Sequence, residues 1–143
     1  MRHGMTLPEL ALGLVLAGLL TSIAMPAFRQ TLDRIAVDRA AYGLVAAHQR
    51  ARVAAILESR PALLRFTADS LVIRIRRGSA TPLYWTGPGP SAQGIALTGP
   101  TKALQFSPTG VTMGFANGTW TLRRGKAYRA VVLSRLGRAR IVR

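Results

Sequence analysis

The stretch RHGMTLPELALGLVLAGLLTSIAMPAF, residues 2–28, sets the architecture of this chain. Residues 10–28 contain no ionisable side chain, and as a helix they would be about 28 Å long, close to the hydrocarbon thickness of a bilayer. A carboxylate, Glu9, stands at the start of this run, where a charge is expensive and is kept for a function. The stretch therefore predicts a membrane-spanning helix whose carboxylate has a role of its own.

Two simpler interpretations of this stretch leave something unexplained. A secretory signal peptide would have a basic N-terminal region, a shorter apolar run and a small-residue cleavage site, and it would not place Glu in the apolar segment. Here the basic part is only Met1-Arg2-His3. An ordinary membrane anchor accounts for the length of the run but not for Glu9.

The segment GMTLPEL, residues 4–10, resembles the type III signal of type IV pilins and pseudopilins. That signal is a short charged leader ending in Gly, an apolar residue, Thr or Ser, Leu, any residue, and then Glu ahead of a long apolar helix. The resemblance implies that prepilin peptidase cuts between Gly4 and Met5 and methylates the new amine of Met5. Met5 stands where Phe is usual, and Pro8 fits the variable position because a helix start needs no N–H there.

After this cleavage, Met5 would carry a cationic amine one helical turn from Glu9. An amine and a carboxylate in a low-dielectric site stabilise each other, although desolvation offsets much of that gain. In the pilin family the pair is thought to form between neighbouring subunits and to set the register of a filament, so the resemblance assigns Glu9 to assembly. The alternative is a carboxylate that is favoured by the helix N-terminus and reaches towards water.

The chain is strongly basic. It has 20 Lys and Arg against 5 Asp and Glu, a formal net charge of +15, and because Arg2 and Glu9 cancel, the whole excess follows residue 28. Such an excess suggests an anionic partner, which could be nucleic acid, lipid head groups or an acidic protein; a solvated surface in an Arg-rich proteome is the alternative. Since the chain has no cysteine, it can form neither a disulfide nor a thiolate metal site.

The pattern after the apolar run predicts an α+β fold that begins with more helix. Residues 29–60 continue the same helix, with Ala-rich apolar positions at helical spacing, and ESRP ends it before Pro61. We expect Asp33 and Asp38 to be surface charges of this helix, with Asp38 paired to Arg34 one turn away.

Residues 61–143 predict an antiparallel sheet. LVIRIRR, residues 71–77, alternates apolar and basic side chains as a strand with a basic outer face does. TGPGPSAQGIALTGP, residues 86–100, predicts a mobile loop, and Asn117-Gly118 predicts a hairpin turn. A long N-terminal helix packed on a C-terminal antiparallel sheet is the type IV pilin architecture.

The later segments resemble one group within the pilins. QFSPTG, GTWTL and AVVLSRLGRARIV, with AAHQRARVAAILESRPALLRF at the helix end, are similar to the GspH/FimT group of minor pseudopilins and minor pilins. The resemblance implies four segments: a prepilin leader (1–4), a transmembrane and assembly half of the helix (5–28), a periplasmic half (29–60) and a sheet domain (61–143). It also implies a single-pass protein of the bacterial inner membrane, with its N-terminus in the cytoplasm and its C-terminal domain in the periplasm.

No motif in the chain predicts an enzyme or a cofactor site. The histidines are His3, which would be lost with the leader, and His48, and no acidic residue is spaced with His48 for metal binding or nucleophilic catalysis. The glycines of GPGP lack the Gly-Lys-Ser/Thr end of a phosphate loop. We therefore expect no catalysis, no metal and no cofactor.

The basic C-terminus suggests a specific binding site. GRAR, residues 137–140, matches a Gly-Arg-x-Arg element that some FimT-type minor pilins are thought to use to bind DNA for uptake. Arg can bridge phosphate oxygens in a fork, and binding of double-stranded DNA would be independent of sequence, because no aromatic residues alternate with the cations. The alternative is a solvated edge strand. The candidate site consists of four arginines: Arg135, Arg138, Arg140 and Arg143.

Three functions fit these patterns. The first is a structural subunit, a minor pilin or pseudopilin of a type II secretion pseudopilus or a type IV pilus, processed by prepilin peptidase after Gly4 and in contact with other pilins and with inner-membrane lipid. The second is a pilus-associated DNA receptor that acts through Arg138 and Arg140. The third is a plain inner-membrane protein whose basic domain touches anionic lipid.

Overall fold

One long helix, α1 (Leu7–Leu57), opens the chain and runs through Pro26 without ending there. Contacts divide the chain into two compact units, Met1–Leu32 and Asp33–Arg143. The computed structural model describes residues 6–114, 117–134 and 136–143.

The first unit is helical and presents apolar side chains outward. All of its described residues are exposed, including Leu14, Leu20 and Ile23. By length and composition α1 could cross a membrane, and its most apolar stretch is not buried by any residue that the structure describes. Apolar surface left open on this scale is typical of a segment that contacts lipid or another protein.

In the second unit, one face of α1 forms part of the core. Its buried positions recur every three or four residues, as the Ala-rich pattern predicts: Val37, Ala40, Ala41, Leu44, Ala47, His48, Ala51, Ala54 and Ala55. The helix ends at the predicted ESRP segment, where the Glu58 N–H donates to the Ala54 carbonyl at 3.0 Å and Ser59 adopts a φ of 50°. The small side chains of this face let the strands approach the helix backbone closely.

The described part of the second unit contains nine strands in two antiparallel sheets. The strands are β1 (Ala62–Phe66), β2 (Ser70–Ile75), β3 (Leu83–Pro88), β4 (Ala96–Thr98), β5 (Leu104–Phe106), β6 (Thr112–Met113), β7 (Gly118–Arg124), β8 (Ala127–Leu133) and β9 (Ala139–Val142). The first sheet has the order β3-β2-β1-β5-β6, and the second has the order β4-β7-β8-β9. A short 3₁₀ helix, Pro90–Gln93, precedes β4.

Both sheets turn an apolar face towards α1. Ile73 and Phe106 of the first sheet and Leu122 of the second are completely buried. The rings of Phe66 and Trp120 meet edge to face with centroids 5.1 Å apart, which joins the two sheets in one core. The alternation predicted for β2 is confirmed, because Leu71, Ile73 and Ile75 are buried whereas Val72 is half-buried and Arg74 is exposed.

The predicted loop at residues 86–100 is wrong in part, since the segment is built of short regular elements. It contains the end of β3, the 3₁₀ helix and β4, which pairs with β7. Ile95 is only 2% exposed, and the Ser91 hydroxyl donates to the Asp69 carboxylate at 2.8 Å. The glycines and prolines therefore mark turns between packed elements.

The predicted hairpin at Asn117-Gly118 is also wrong. Gly118 is already the first residue of β7 and stands opposite Leu133, whereas β6 pairs with β5 in the other sheet. The hairpin forms one strand later, at Gly125-Lys126 between β7 and β8. Turn chemistry alone does not reveal which strands pair, because the pairing depends on contacts that are distant in sequence.

Candidate functional site

Glu9 lies in the first turn of α1 and caps the helix to which it belongs. Its Oε2 accepts hydrogen bonds from the backbone N–H and from the hydroxyl of Thr6, both at 3.1 Å. A helix start leaves backbone N–H groups without partners, and a Thr-x-x-Glu capping box supplies one. The sequence TLPE contains this spacing, so the cap could have been predicted. The bonds use one carboxylate oxygen, and the other can accept a further donor.

The residues that define processing are not among those the structure describes. Gly4 and Met5 both precede Thr6, the first described residue. The cleavage site, the methylated amine and its pairing with Glu9 therefore stay predictions.

Asp33 and Asp38 are not simple surface charges of the helix. Asp33 pairs with Arg124 of β7 at 2.9 Å, and Asp38 pairs with Arg129 of β8 at 2.7 Å. The pairing predicted between Asp38 and Arg34 is therefore replaced by one across the fold. Alternation explains this outcome: Arg124 follows the buried Trp120 and Leu122 on the inner side of β7, so its side chain points at α1.

This pairing leaves two cations of the β7–β8 hairpin on the outer face of the second sheet. Thr121, Arg123, Lys126 and Tyr128 line an open cleft of about 440 Å³, which we call the hairpin patch. Arg123 and Tyr128 stand opposite each other in the register, and Arg123 Nε donates to the Gly125 carbonyl at 3.4 Å. Sequence reasoning missed this patch; a tight turn at Gly125-Lys126 would have given the register and found it.

The GRAR patch, Arg138 and Arg140, lies at the β8–β9 connection. Gly137 has a φ of 73°, and its N–H donates to the Ser134 carbonyl at 2.9 Å, which closes the turn. The Arg138 N–H donates to Ser134 Oγ at 3.2 Å. Both arginines are exposed and the intervening Ala139 is half-buried, so the two guanidinium groups lie on the outer side of the sheet.

The remaining parts of the predicted basic site are separate. Arg135 lies outside the described residues, and Arg143 is exposed just after β9. Arg140 stands opposite Val132 on β8, and Tyr128 is four residues away along that strand, about 13 Å at 3.3 Å per residue. The GRAR patch and the hairpin patch are thus two basic areas on one sheet face.

The outer face of the first sheet carries a third basic area. Arg65 and Arg74 flank a cleft of about 380 Å³ whose floor includes Leu63 and Val72. Arg74 Nη1 donates to the Thr81 carbonyl at 3.1 Å, which orients its guanidinium group. This area matches the basic outer face predicted from the alternation of LVIRIRR.

None of these three areas contains an acidic residue among the described residues. Apart from the two aspartates paired with β7 and β8, Glu58 pairs with Arg77 at 3.3 Å and Asp69 accepts the Ser91 hydroxyl. No carboxylate among the residues that the structure describes therefore neutralises the cations of the outer faces, and each area is open to an anionic ligand.

His48 is a core residue. It is 1% exposed, its ring meets Phe106 edge to face at 5.1 Å, and its Nδ1 has no hydrogen-bond partner in the described chain. Burial, with the nearby charge of Arg52, lowers the pKa of His48 to about 4, so the imidazole is neutral at pH 7. Within the described residues, no group of three or more His, Cys, Asp and Glu side chains could hold a metal ion.

Comparison with known proteins adds a family and a fold. A family model described as Type II transport protein GspH matches residues 40–137. Two crystal forms of the type IV minor pilin FimU from Pseudomonas aeruginosa strain PAO1 match the structure. The P21 form has a TM-score of 0.62 at 18% identity and covers 75% of this chain and 88% of its own. The P65 form has a TM-score of 0.60 at 17% identity and covers 74% and 92%.

These identities show a shared fold alone, and they confirm the predicted α+β architecture of a long N-terminal helix packed on antiparallel strands. No curated protein matches the chain. The family match begins within α1 after the apolar run and ends at Gly137, so it rests on the second unit.

Proposed function

The chain belongs to the GspH family and is thus of the minor pilin and pseudopilin class, and we propose that it is a filament subunit processed at its N-terminus before assembly. The resemblance expected from the sequence is confirmed at the level of the family. In this proposal, residues 10–28 insert in the bacterial inner membrane, the N-terminus is cytoplasmic and the sheets lie in the periplasm. Prepilin peptidase removes residues 1–4 and methylates Met5.

The single observation that carries this proposal is the position of Glu9. It stands at the first turn of a helix whose next residues are apolar and exposed. A plain anchor gains nothing from such a carboxylate, because the charge weakens insertion. A subunit that must align with its neighbours gains a specific partner, because the amine of an adjacent Met5 can pair with Glu9 in a low-dielectric layer.

Intact-mass analysis of the mature protein tests the processing step. We expect a chain that begins at methylated Met5 in cells with prepilin peptidase and an uncut chain in cells without it. A mature chain that still begins at Met1 would contradict the proposal.

Two filaments accommodate such a subunit: a type II secretion pseudopilus and a type IV pilus. A strain that lacks this protein should lose either protein secretion or piliation, and scoring both in one strain assigns the filament. Complementation with the intact gene is the control. No defect in either readout would argue against a filament role.

A second candidate function, DNA uptake, is favoured by the GRAR patch. Arg138 and Arg140 are exposed on one side of the turn, and no described carboxylate lies in the patch. Two guanidinium groups two residues apart can contact successive phosphates of a duplex, which gives binding that is independent of sequence and sensitive to salt.

Duplex binding by the full-length protein in detergent micelles tests this candidate. Arg138→Gln with Arg140→Gln should lower the slope of log affinity against log salt by about 2 for every duplex tested, because two phosphate contacts are lost. Arg65→Gln with Arg74→Gln removes the same charge from the first sheet and should leave the slope unchanged. Equal losses in the two variants would show that net charge, and not the GRAR patch, determines binding.

A further inference from the structure

The β7–β8 turn is fixed against α1 at Asp33. Arg124 Nε lies 2.9 Å from Asp33 Oδ1, and Gly125 is so close that an added Cβ would lie 2.7 Å from Asp33 Oδ2. Asp33 follows residue 28, the end of the apolar run, by five positions. Five residues span about 8 Å in a helix and about 17 Å when fully extended. The chain itself therefore keeps the turn near the end of the apolar run.

The hairpin patch beside this turn has the chemistry of an anion site. Each side chain that lines the cleft can donate a hydrogen bond: the hydroxyls of Thr121 and Tyr128, the guanidinium of Arg123 and the ammonium of Lys126. The Asp33 carboxylate beside the turn is paired with Arg124. An anionic oxygen in the cleft would therefore be surrounded by hydrogen-bond donors, and no carboxylate of the described residues lines the cleft.

The distance of the turn from the bilayer indicates which anion the hairpin patch binds. The polar layer of a bilayer extends about 5–8 Å beyond the hydrocarbon core on each side. A turn anchored within about 17 Å of the end of a spanning segment lies no more than about 9–12 Å outside this layer, which is about one Debye length at physiological salt. Basic residues near an anionic membrane surface bind it, and Tyr is enriched at the same depth.

We propose that the hairpin patch binds the headgroup phosphates of anionic phospholipids and so holds the folded domain on the membrane surface before the subunit enters a filament. The proposal rests on the membrane insertion of residues 10–28 in the proposed function. It assigns Arg123 and Lys126 to the phosphate, with Tyr128 at the headgroup boundary. Release of these contacts is then a step of subunit extraction from the membrane.

A fluorescent label next to the patch measures this docking in the full-length protein. The chain has no cysteine, and Ala96, which is exposed and opposite Arg123 in the register, can be replaced by Cys for labelling. The labelled protein is reconstituted in vesicles that carry a headgroup-attached quencher. We expect strong quenching in phosphatidylcholine with phosphatidylglycerol, weak quenching in phosphatidylcholine alone, and loss of quenching near 1 M salt, where the Debye length is about 3 Å.

Paired variants test which cations are responsible. Arg123→Gln with Lys126→Gln should lower the ratio of docked to undocked domain about 30-fold, since each basic residue near an anionic surface contributes about 1 kcal/mol. Arg65→Gln with Arg74→Gln removes the same charge from the other sheet and should leave the ratio unchanged. All four residues are exposed, and circular dichroism of each variant verifies that the fold is retained.

The outcomes separate this proposal from the proposed function. Alkaline extraction reports insertion: a chain released from the vesicles contradicts the membrane-anchored filament subunit itself. An inserted chain whose label is not quenched with phosphatidylglycerol overturns the lipid site alone, and so does an equal loss in both double variants. If a short DNA duplex binds the hairpin patch while phosphatidylglycerol does not, the ligand is nucleic acid and the lipid proposal is overturned.

Discussion

At the scale of single residues, Glu9 combines two tasks that substitution can separate. Its carboxylate caps α1 through Thr6, and it carries the charge that the proposed assembly step needs. Losing a cap costs about 1 kcal/mol of helix stability, which a long helix tolerates. Losing the charge would remove the partner of a neighbouring amine.

We expect Glu9→Ala to be cleaved by prepilin peptidase but to be absent from sheared filaments. Thr6→Ala removes the hydroxyl that donates to Glu9 but keeps the carboxylate and its bond to the backbone N–H of residue 6, so it should still assemble. Immunoblots of the filament fraction measure assembly, and intact mass measures cleavage. Equal assembly defects in the two variants would assign the effect to the orientation of the Glu9 side chain by the Thr6 hydroxyl and not to the charge.

His48 should make the stability of the domain depend on pH. Because its pKa is lowered from 6.5 to about 4 in the folded state, the unfolded chain binds more protons between these pH values. Stability is therefore fully present above pH 6.5 and declines as the pH falls to about 4, by about 3 kcal/mol in total.

His48→Leu should remove this component of the pH dependence. It also replaces a buried nitrogen that has no partner in the described chain with a methyl group, so stability at pH 7 should stay equal or rise. Denaturant titration of both proteins in detergent at pH 7 and pH 4.5 measures the difference. An unchanged pH dependence in the variant would show that His48 is not the group responsible.

At the scale of elements, the sequence predicted those features that depend on residues close together in the chain. The continuation of the helix after residue 28, its end at ESRP and the alternation of β2 follow from spacing and turn chemistry, and they are confirmed. The pairing of strands does not follow from local pattern. β6 and β7 are neighbours in sequence but lie in different sheets, so a strong turn dipeptide between them gave a wrong hairpin.

The same distinction applies to the candidate site. The GRAR patch lies within a few consecutive residues, so its sequence was sufficient to predict its exposure. The hairpin patch depends on a cross-strand pair, Arg123 with Tyr128, and on ion pairs that turn Arg124 and Arg129 inward. Those contacts join residues about 90 positions apart, as Asp38 and Arg129 show, and no local signal encodes them.

The β7–β8 turn should be sensitive to a Cβ atom added at Gly125. Gly125 has a φ of 55°, and its missing Cβ would lie 2.7 Å from Asp33 Oδ2. Gly125→Ala adds left-handed strain of about 1 kcal/mol and displaces the carboxylate from Arg124, an ion pair that contributes up to about 1 kcal/mol, so we expect a loss of about 2 kcal/mol.

Gly78→Ala is the matched control. Gly78 has a φ of 62° but has nothing within 4 Å of its missing Cβ, so only the strain of about 1 kcal/mol should appear. Chemical denaturation of the two variants gives the comparison. Equal losses would mean that Asp33 does not hold the turn.

At the scale of the whole molecule, the two units have different surroundings. The second unit, Asp33–Arg143, has its own core between α1 and the two sheets, whereas the described residues of the first unit are exposed. A chain that begins at residue 29 should therefore fold without detergent and unfold in one cooperative transition. Gel filtration and circular dichroism measure this, and a chain without a cooperative transition would show that residues 1–28 contribute to the fold.

The capped carboxylate of Glu9 has a consequence for the entropy of pairing. Its Oε2 accepts the backbone N–H and the hydroxyl of Thr6, which orients the side chain before a neighbour arrives. A neighbouring amine then meets a carboxylate whose second oxygen can still accept a donor. Less side-chain freedom is lost when the pair forms, so the first turn of the helix preorganises the proposed contact between subunits.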